Sequence, residues 1–243
     1  MPRAFTIEQL LFSQGFGTRK RCRILVLDGD VTVAGAGVDD PEAPAPDEPG
    51  TVFTVQGESW HYHPVAYLML NKPAGYECSQ KPKLHPPVYD LLPPPLRERS
   101  KGGVQAVGRL DQDTTGLLLF SEDGKFIHRM TSPKHEVGKV YEVTTAEPVT
   151  PSQVERLLAG VVLDVDPEPV SASACVPTSE YSLSLTLTSG KYHQVKRMLA
   201  AAGNHVKALH RSRIGQLALP ADLREGEWRW LTPEDLKKLD QPA

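Results

Sequence analysis

Residues 108–122 read GRLDQDTTGLLLFSE. Asp111 and Asp113 stand two apart, Gly116 follows, and Glu122 lies eleven residues beyond Asp111. Carboxylates so spaced suit more than one chemistry. Asp111, Asp113, Thr115, Gly116 and Glu122 fall on positions 1, 3, 5, 6 and 12 of a calcium-binding loop. Alternatively, one carboxylate is reactive and a tight turn holds it in place. In the plainest reading both aspartates only shape the turn by accepting backbone N–H bonds. The calcium loop needs a helix on each side and a mostly polar interior. Upstream, KGGVQAVGR has little helical character, and LLLF is an apolar run that demands burial as a strand. The sequence therefore argues against a metal and leaves the carboxylate and the turn.

Such a carboxylate must be carried on something rigid. VAYLMLNKPAGY reads as a buried strand ended by Asn71, Pro73 and Gly75, and residues 81–95, with six prolines, as an irregular crossing segment. GLLLFSE and GKVYEVTTA read as strands, with KFIHRMTS as a short helix between them. TPSQVERLLAG is a helix capped by Thr150 or Ser152 and stopped by Gly160. YSLSLTLTSG alternates, with Leu183, Leu185 and Leu187 on one face. KYHQVKRMLAAAG is a helix with Val195, Met198, Leu199 and Ala202 inward. Both element types occur without a regular alternation, so the fold class is α+β with a mixed, largely antiparallel sheet.

The N-terminal stretch is a separate small module. Ile7, Leu10 and Leu11 mark a short helix, and Thr18 caps a second, RKRCRILVL. Cys22, Leu25 and Val26 face inward there, while Arg19, Lys20, Arg21 and Arg23 face out. DVTVAG and TVFTV form a hairpin around DDPEAPAPDEPG, an exposed loop with four prolines and five acids. His61 and His63 fall in an extended linker, GESWHYHPVA.

Charge separates sharply along a chain whose formal net charge is only −3. Arg3, Arg19, Lys20, Arg21 and Arg23 face a single acid, Glu8, in residues 1–23. Residues 191–213 hold Lys191, Lys196, Arg197, Lys207, Arg211 and Arg213 with no acid, and add His193, His205 and His210. Residues 24–60 carry eight acids and no lysine or arginine. Two basic patches on an acidic protein imply a polyanion partner. No apolar run is long enough to span a bilayer, and the N-terminus has no signal-peptide core. Three widely spaced cysteines, Cys22, Cys78 and Cys175, argue against a disulfide framework and for a reducing cytoplasm.

Four blocks, LNKPAGY, GRLDQDTTGLLLFSEDG, SPKHEVGKVYEV and GKYHQVKRMLAAAGNHVKALHRSRIG, occur in family order over roughly residues 66–236. Together they resemble the RsuA-type pseudouridine synthases, which isomerise uridine in ribosomal RNA. The N-terminal pattern resembles an S4 RNA-binding domain. The resemblance implies an S4-like module over residues 1–57, a linker over 58–64 and a catalytic domain of pseudouridine synthase fold over 65–243. It implies Asp111 as the catalytic aspartate, Asp113 as a supporting acid, Lys196 as the cation that pairs with the aspartate, and Tyr141 as the site aromatic. Arg109 matches a residue that fills the gap left by an extruded base. Arg19, Lys20, Arg21 and Arg23 on the module, and Lys191, His193, Arg197, Arg211 and Arg213 on the main domain, become RNA contacts. No cofactor is implied. The partner is ribosomal RNA or an assembly intermediate, met by a monomer in the cytoplasm and away from membranes. YHQVKRM, AAGNHV and LHRSRIG look more like the small-subunit enzyme, of the uridine-516 class in 16S RNA, than like its large-subunit relatives. The alternatives are a 23S RNA enzyme and a non-catalytic assembly factor.

Overall fold

The computed structural model describes residues 5–99, 102–164 and 166–242. Arg3 lies outside them. The chain forms two compact units. The first holds the chain up to Tyr67 together with residues 92–105 and 121–123; the second holds 68–91, 106–120 and the chain from 124 onward.

In the first unit the helix Ile7–Gln14 begins at a capping box between Thr6 and Gln9 and ends at Gly15. Thr18 caps the helix Arg19–Leu27 as expected. Ile7, Leu10, Leu11, Cys22, Leu25 and Val26 join one core with Phe53. The four cationic side chains of the second helix are exposed. Arg19 and Arg23 turn back onto Glu8, at 3.4 and 2.9 Å. The acidic, proline-rich loop does more than hang in solvent. Its Pro41 and Ala43 carbonyls accept the N–H groups of Glu8 and Ile7, both at 3.0 Å. A helix start leaves N–H donors without intrahelical partners, and this loop supplies acceptors.

The expected linker is not one. Glu58–His61 is a strand paired antiparallel with Val52–Val55, completing a four-stranded sheet. Tyr62 is buried in the core of the unit. Beyond it, Arg99 and Glu122 form an ion pair at 2.8 Å, both side chains almost fully buried. Arg99 also donates to Gln14 Oε1 at 3.0 Å and to the His63 carbonyl at 2.6 Å, and Glu122 accepts the Ala66 N–H at 3.2 Å. The unit therefore runs past residue 57, because a buried cation and a buried acid need these partners to lose their water.

The second unit carries a mixed sheet. Its strands run in the order Ala174–Ser179, Ser182–Leu187, Lys139–Thr145, Val206–Ile214, Thr115–Ser121, Tyr67–Lys72 and Trp228–Trp230. Val206–Ile214 pairs antiparallel with Lys139–Thr145 and parallel with Thr115–Ser121. Leu117, Leu118, Leu119 and Phe120 are fully buried within their strand. This removes the calcium loop: positions 6 to 11 of the template are a sheet strand, and Glu122 is held by Arg99. Gly116 is required where the two parallel strands meet. Its φ is 104°, and a Cβ there would fall 2.3 Å from the Arg211 carbonyl oxygen.

Two devices fix what lies at the strand ends. The helix Gln194–Ala201 buries Val195, Met198 and Leu199. It starts three residues later than KYHQVKRM suggests, because His193 takes a left-handed backbone at φ 49° as the N-cap. Lys72, fully buried, donates to the carbonyls of Pro73, Gln112 and Thr114 at 3.0, 3.2 and 2.9 Å. Two of those carbonyls belong to the aspartate loop, so one ammonium staples that loop to the end of a neighbouring strand. Burial pulls the Lys72 pKa below its usual value, against the charges of Asp113 and Asp111.

Lys72→Met keeps the length of the stem but leaves these carbonyls without their donor. We expect a loss of roughly 1–3 kcal/mol in stability, read from the denaturant midpoint. A midpoint unchanged from the parent would mean that the staple carries no load. In the first unit, burial first and then the charges of Arg99 and His61 lower the His63 pKa to about 4. The unfolded chain takes up that proton nearer its ordinary value of about 6.5. His63 therefore favours the folded state fully above that pH, and the contribution fades as pH falls towards about 4. His63→Gln should show a smaller drop in melting temperature than the parent between about pH 7 and about pH 5.

Candidate active site

The loop after Val107 closes in a turn, with the Thr114 N–H donating to the Asp111 carbonyl at 3.1 Å. Opposite it, the Gln194–Ala201 helix presents Lys196. Its Nζ lies 2.7 and 2.9 Å from the two carboxylate oxygens of Asp113 and 3.4 Å from Oδ2 of Asp111. His193 Nε2 lies 3.4 Å from the other oxygen, Oδ1, of Asp111. Asp111 thus sits between an amine and an imidazole. The expectation paired Lys196 with Asp111 alone; its tighter partner is Asp113. Residues two apart across this turn offer both carboxylates to one amine, and the more exposed Asp113 takes it in bidentate fashion. For Asp113, burial disfavours the charge, yet the hydrogen bond and charge of Lys196 prevail and hold its pKa below the usual range. For Lys196, burial is likewise overcome, by the bond to Asp113 and the charge of Asp111, and its pKa rises.

These groups open onto a cleft. An inner recess of about 80 Å³ is lined by Asp111, Thr114, Tyr141, Val195, Lys196 and Leu209, among others. A larger cavity of about 370 Å³ shares Asp111 and Tyr141 and adds Lys139, Tyr192 and Arg211. Arg109, Lys191 and His193 line both. Tyr141 is 9% exposed and sits directly across the strand pair from Arg211. Asp111 is the only acid among the described residues lining the larger cavity, against Arg109, Lys139, Lys191 and Arg211. At the mouth, Tyr192 is 73% exposed and stacks on the His193 ring, with centroids 3.7 Å apart. No group of three or more His, Cys, Asp or Glu placed to hold a metal occurs among the described residues.

The arrangement brings together Asp111, Tyr141, Lys196, Arg109, Lys191 and His193, as the sequence suggested. Three expectations change. Arg211 is 2% exposed, with Nε donating to the Leu117 carbonyl at 2.8 Å, so it belongs to the floor of the cleft and not to an outer basic face. Strand pairing puts it there: residue 211 alternates inward beside Gly116, the one neighbour that leaves room. Arg197 is half-buried and donates to the Tyr192 carbonyl at 3.3 Å and to that of Asp164, which latches the rim of the cleft. Arg213 is half-buried. Sequence reasoning missed Lys139, although K-x-Y on one strand places Lys139 and Tyr141 on the same face. It also took His193 for a phosphate contact when its ring touches Asp111, and that left-handed turn has no clear signature in the sequence.

A carboxylate flanked by cations, sheltered on one side and walled by an aromatic ring, can attack an electron-poor carbon of a flat substrate or take a proton beside it. The comparisons agree with that chemistry. Residues 66–201 match the family model for RNA pseudouridylate synthase. The chain is 44% identical over 174 residues to "Ribosomal small subunit pseudouridine synthase A" of Escherichia coli, covering 72% of this chain and 74% of that one. The protein of that name from Yersinia pestis is 36% identical over 239 residues, 98% of this chain and 97% of its own. A solved structure described as a pseudouridylate synthase superposes with a TM-score of 0.68 at 34% identity, over 97% of this chain and all of that one. The family model spans more than half of the residues and the solved relative nearly all of them: the chain belongs to the RNA pseudouridylate synthase family, whose members isomerise uridine in RNA.

Proposed function

We propose that the protein converts one uridine of 16S ribosomal RNA, in the uridine-516 class, to pseudouridine. The small-subunit names of its relatives support the choice of RNA. The observation that carries the reaction is the Asp111 carboxylate, held 3.4 Å from both Lys196 and His193 in a cleft walled by Tyr141. The extruded nucleotide enters with its sugar at Asp111 and its uracil against Tyr141. The N1–C1′ bond breaks, the ring turns, and C5 joins C1′; no external atom enters, so the reaction needs no cofactor. Asp111 acts at the sugar, as the nucleophile or as the base beside C1′. Lys196 keeps the loop and its charge in place, bridging both aspartates. Arg109, exposed at the edge of both cavities, fills the gap that the uridine leaves in the RNA.

RNA contact is spread over two places. Lys191 and His193 belong to the cleft side, and Lys20 and Arg21, with Arg19 and Arg23, to the N-terminal unit. That unit acts as an S4-like second contact, tethered to the first, so each raises the effective concentration of the other. The Glu8 pairs of Arg19 and Arg23 leave Lys20 and Arg21 as its principal cations. No helix of the described residues is long and apolar enough to cross a membrane. We place the enzyme in the cytoplasm, acting as a monomer on the RNA or on a partly assembled subunit.

Asp111→Asn keeps the shape of the side chain and removes its charge. It should bind 16S RNA within about twofold of the parent and form no pseudouridine, because deleting a nucleophile or its charge removes several orders of magnitude in rate. Retention of the normal conversion rate by the variant would refute the assignment. Mapping pseudouridine in RNA from cells with and without the protein separates 16S from 23S targets; a protein-dependent site in neither would leave only an assembly role. With about six phosphates engaged, affinity should fall about a thousandfold between 50 and 200 mM salt. A flat salt response would remove the basic surfaces from the interface.

A further inference from the structure

The floor of the cleft holds one buried and one half-buried cation, Arg211 and Lys139, that the reaction as described does not use. Arg211 spends its Nε on the Leu117 carbonyl, but its Nη2 is closed to solvent and has no hydrogen-bond partner among the described residues. A charge-bearing donor left so is costly and asks for an explanation. Lys139 lies on the same strand face as Tyr141, two residues before it, and Arg211 lies directly across from Tyr141. All three line the 370 Å³ cavity with Asp111. Lys139 Nζ donates to the Val137 carbonyl at 2.9 Å, which leaves further donor capacity on the ammonium. Asp111, the one acid of that lining among the described residues, is already flanked by Lys196 and His193. The other charged or titratable groups facing this floor are Arg109 and Lys191, which add positive charge, and His193. Both cations thus line the cavity next to Tyr141, and among the described lining residues no anion is assigned to them.

Breaking the N1–C1′ bond supplies that anion. The bonding pair leaves with N1, and the detached uracil is a monoanion with its charge spread over N1, C5 and the two carbonyl oxygens. After the ring turns, C5 gives a pair to C1′, the C5 proton departs, and N1 takes up a proton, so atoms and electrons balance. Resting on the reading of Asp111 above, we propose that Lys139 and Arg211 are catalytic residues that hold this uracil anion between the two bonds. The Lys139 ammonium donates to its carbonyl oxygens, and the Arg211 guanidinium behind it sets a second positive charge against them, while Tyr141 lies against the ring. Fixed donors aimed at a developing charge in a sheltered site cost no reorganisation when the charge appears. Burial first, and then the charge of Arg211, pull the Lys139 pKa down to about 8, a like-charge tension that an arriving anion relieves. The depth of Arg211 favours the base over a backbone phosphate. The extruded ring is the part of the RNA that goes deepest, and Arg211 lines the cavity at 2% exposure, below the surface where phosphates run.

The test varies the leaving group. Fluorine at C5 makes uracil a stronger acid, so its anion needs less help. Lys139→Met, Arg211→Met and Arg211→Lys are compared with the parent in single turnovers on two RNAs, one with uridine and one with 5-fluorouridine at the target. Because fluorine replaces the hydrogen that must leave, the readout is loss of the original nucleoside. On uridine, each methionine variant should be slowed about 10²–10³-fold, the range for removing one such donor. On 5-fluorouridine the loss should be at least about tenfold smaller, and Arg211→Lys should recover part of the rate. RNA affinity should stay within about twofold of the parent. An equal loss on the two RNAs would show that neither group meets developing negative charge and would overturn the proposal. So would a loss confined to affinity with the single-turnover rate intact, which would mark the pair as a phosphate contact. Lys139 is half-buried, so Lys139→Met decides the matter even where Arg211→Met does not fold. A parent enzyme that leaves uridine unchanged would instead refute the reading of Asp111.

Discussion

Everything in the cleft depends on one amine shared by two acids. Lys196 comes from the first turns of a helix whose other face is locked by Val195, Met198 and Leu199. Asp111 and Asp113 come from a loop about eighty residues earlier, and nothing in their local sequence would keep two carboxylates together in a sheltered place. Like charges two residues apart repel, and burial adds to the cost. A single cation within reach of both removes the repulsion and fixes the distance between helix and loop. The tighter bond goes to Asp113, which leaves Asp111 partly open and only loosely held, at 3.4 Å from Lys196 and from His193. A supporting acid that satisfies the lysine is what allows its neighbour to remain reactive.

The scaffold explains how such distant pieces meet. The Thr115–Ser121 strand runs parallel to Val206–Ile214, and Lys139–Thr145 lies antiparallel on the other side of it. The loop thus emerges at the edge where Tyr141, Arg211 and the helix N-terminus converge. The close approach at Gly116 sets the spacing of the parallel pair, and the buried Lys72 ammonium ties the loop down from behind. Neither residue touches the cleft, yet each fixes a coordinate of Asp111. Positioning of this kind, by backbone contact and buried charge, holds a site more firmly than surface side chains can.

Much of this was legible in the residues and their order. Periodicity gave several helices and strands of both units, including the inward faces of Ile7–Gln14 and Gln194–Ala201, because burial decides which side an apolar stripe takes, but it did not give the strand Val206–Ile214 or the helix Pro233–Leu239. The four blocks pointed to Asp111, Tyr141 and Lys196 before any geometry. The misses share a physical cause, since each depends on a partner remote in sequence. The strand Glu58–His61 looked like a linker because its hydrogen bonds go to Val52–Val55, and its own residues carry no strong pattern. The calcium template that Glu122 fitted was already set aside on the apolar LLLF run, but the partner that holds Glu122, Arg99, could not be read from the sequence. Arg211 read as surface charge because a basic window says nothing of which arginine points inward; that depends on the missing side chain at Gly116. Lys139 was hidden in plain spacing, two before the tyrosine.

The helix that carries Lys196 carries Arg197 next to it, and the guanidinium of Arg197 grips the carbonyls of Tyr192 and Asp164. Successive helix residues point about 100° apart, so one short rod is fastened to both acids by Lys196 and, in another direction, to the rim of the cleft by Arg197. The stacked Tyr192 and His193 rings lead directly into that rod. The threshold of the site and the amine beside Asp111 are therefore carried on one continuous segment, residues 192–197, rather than on separate loops.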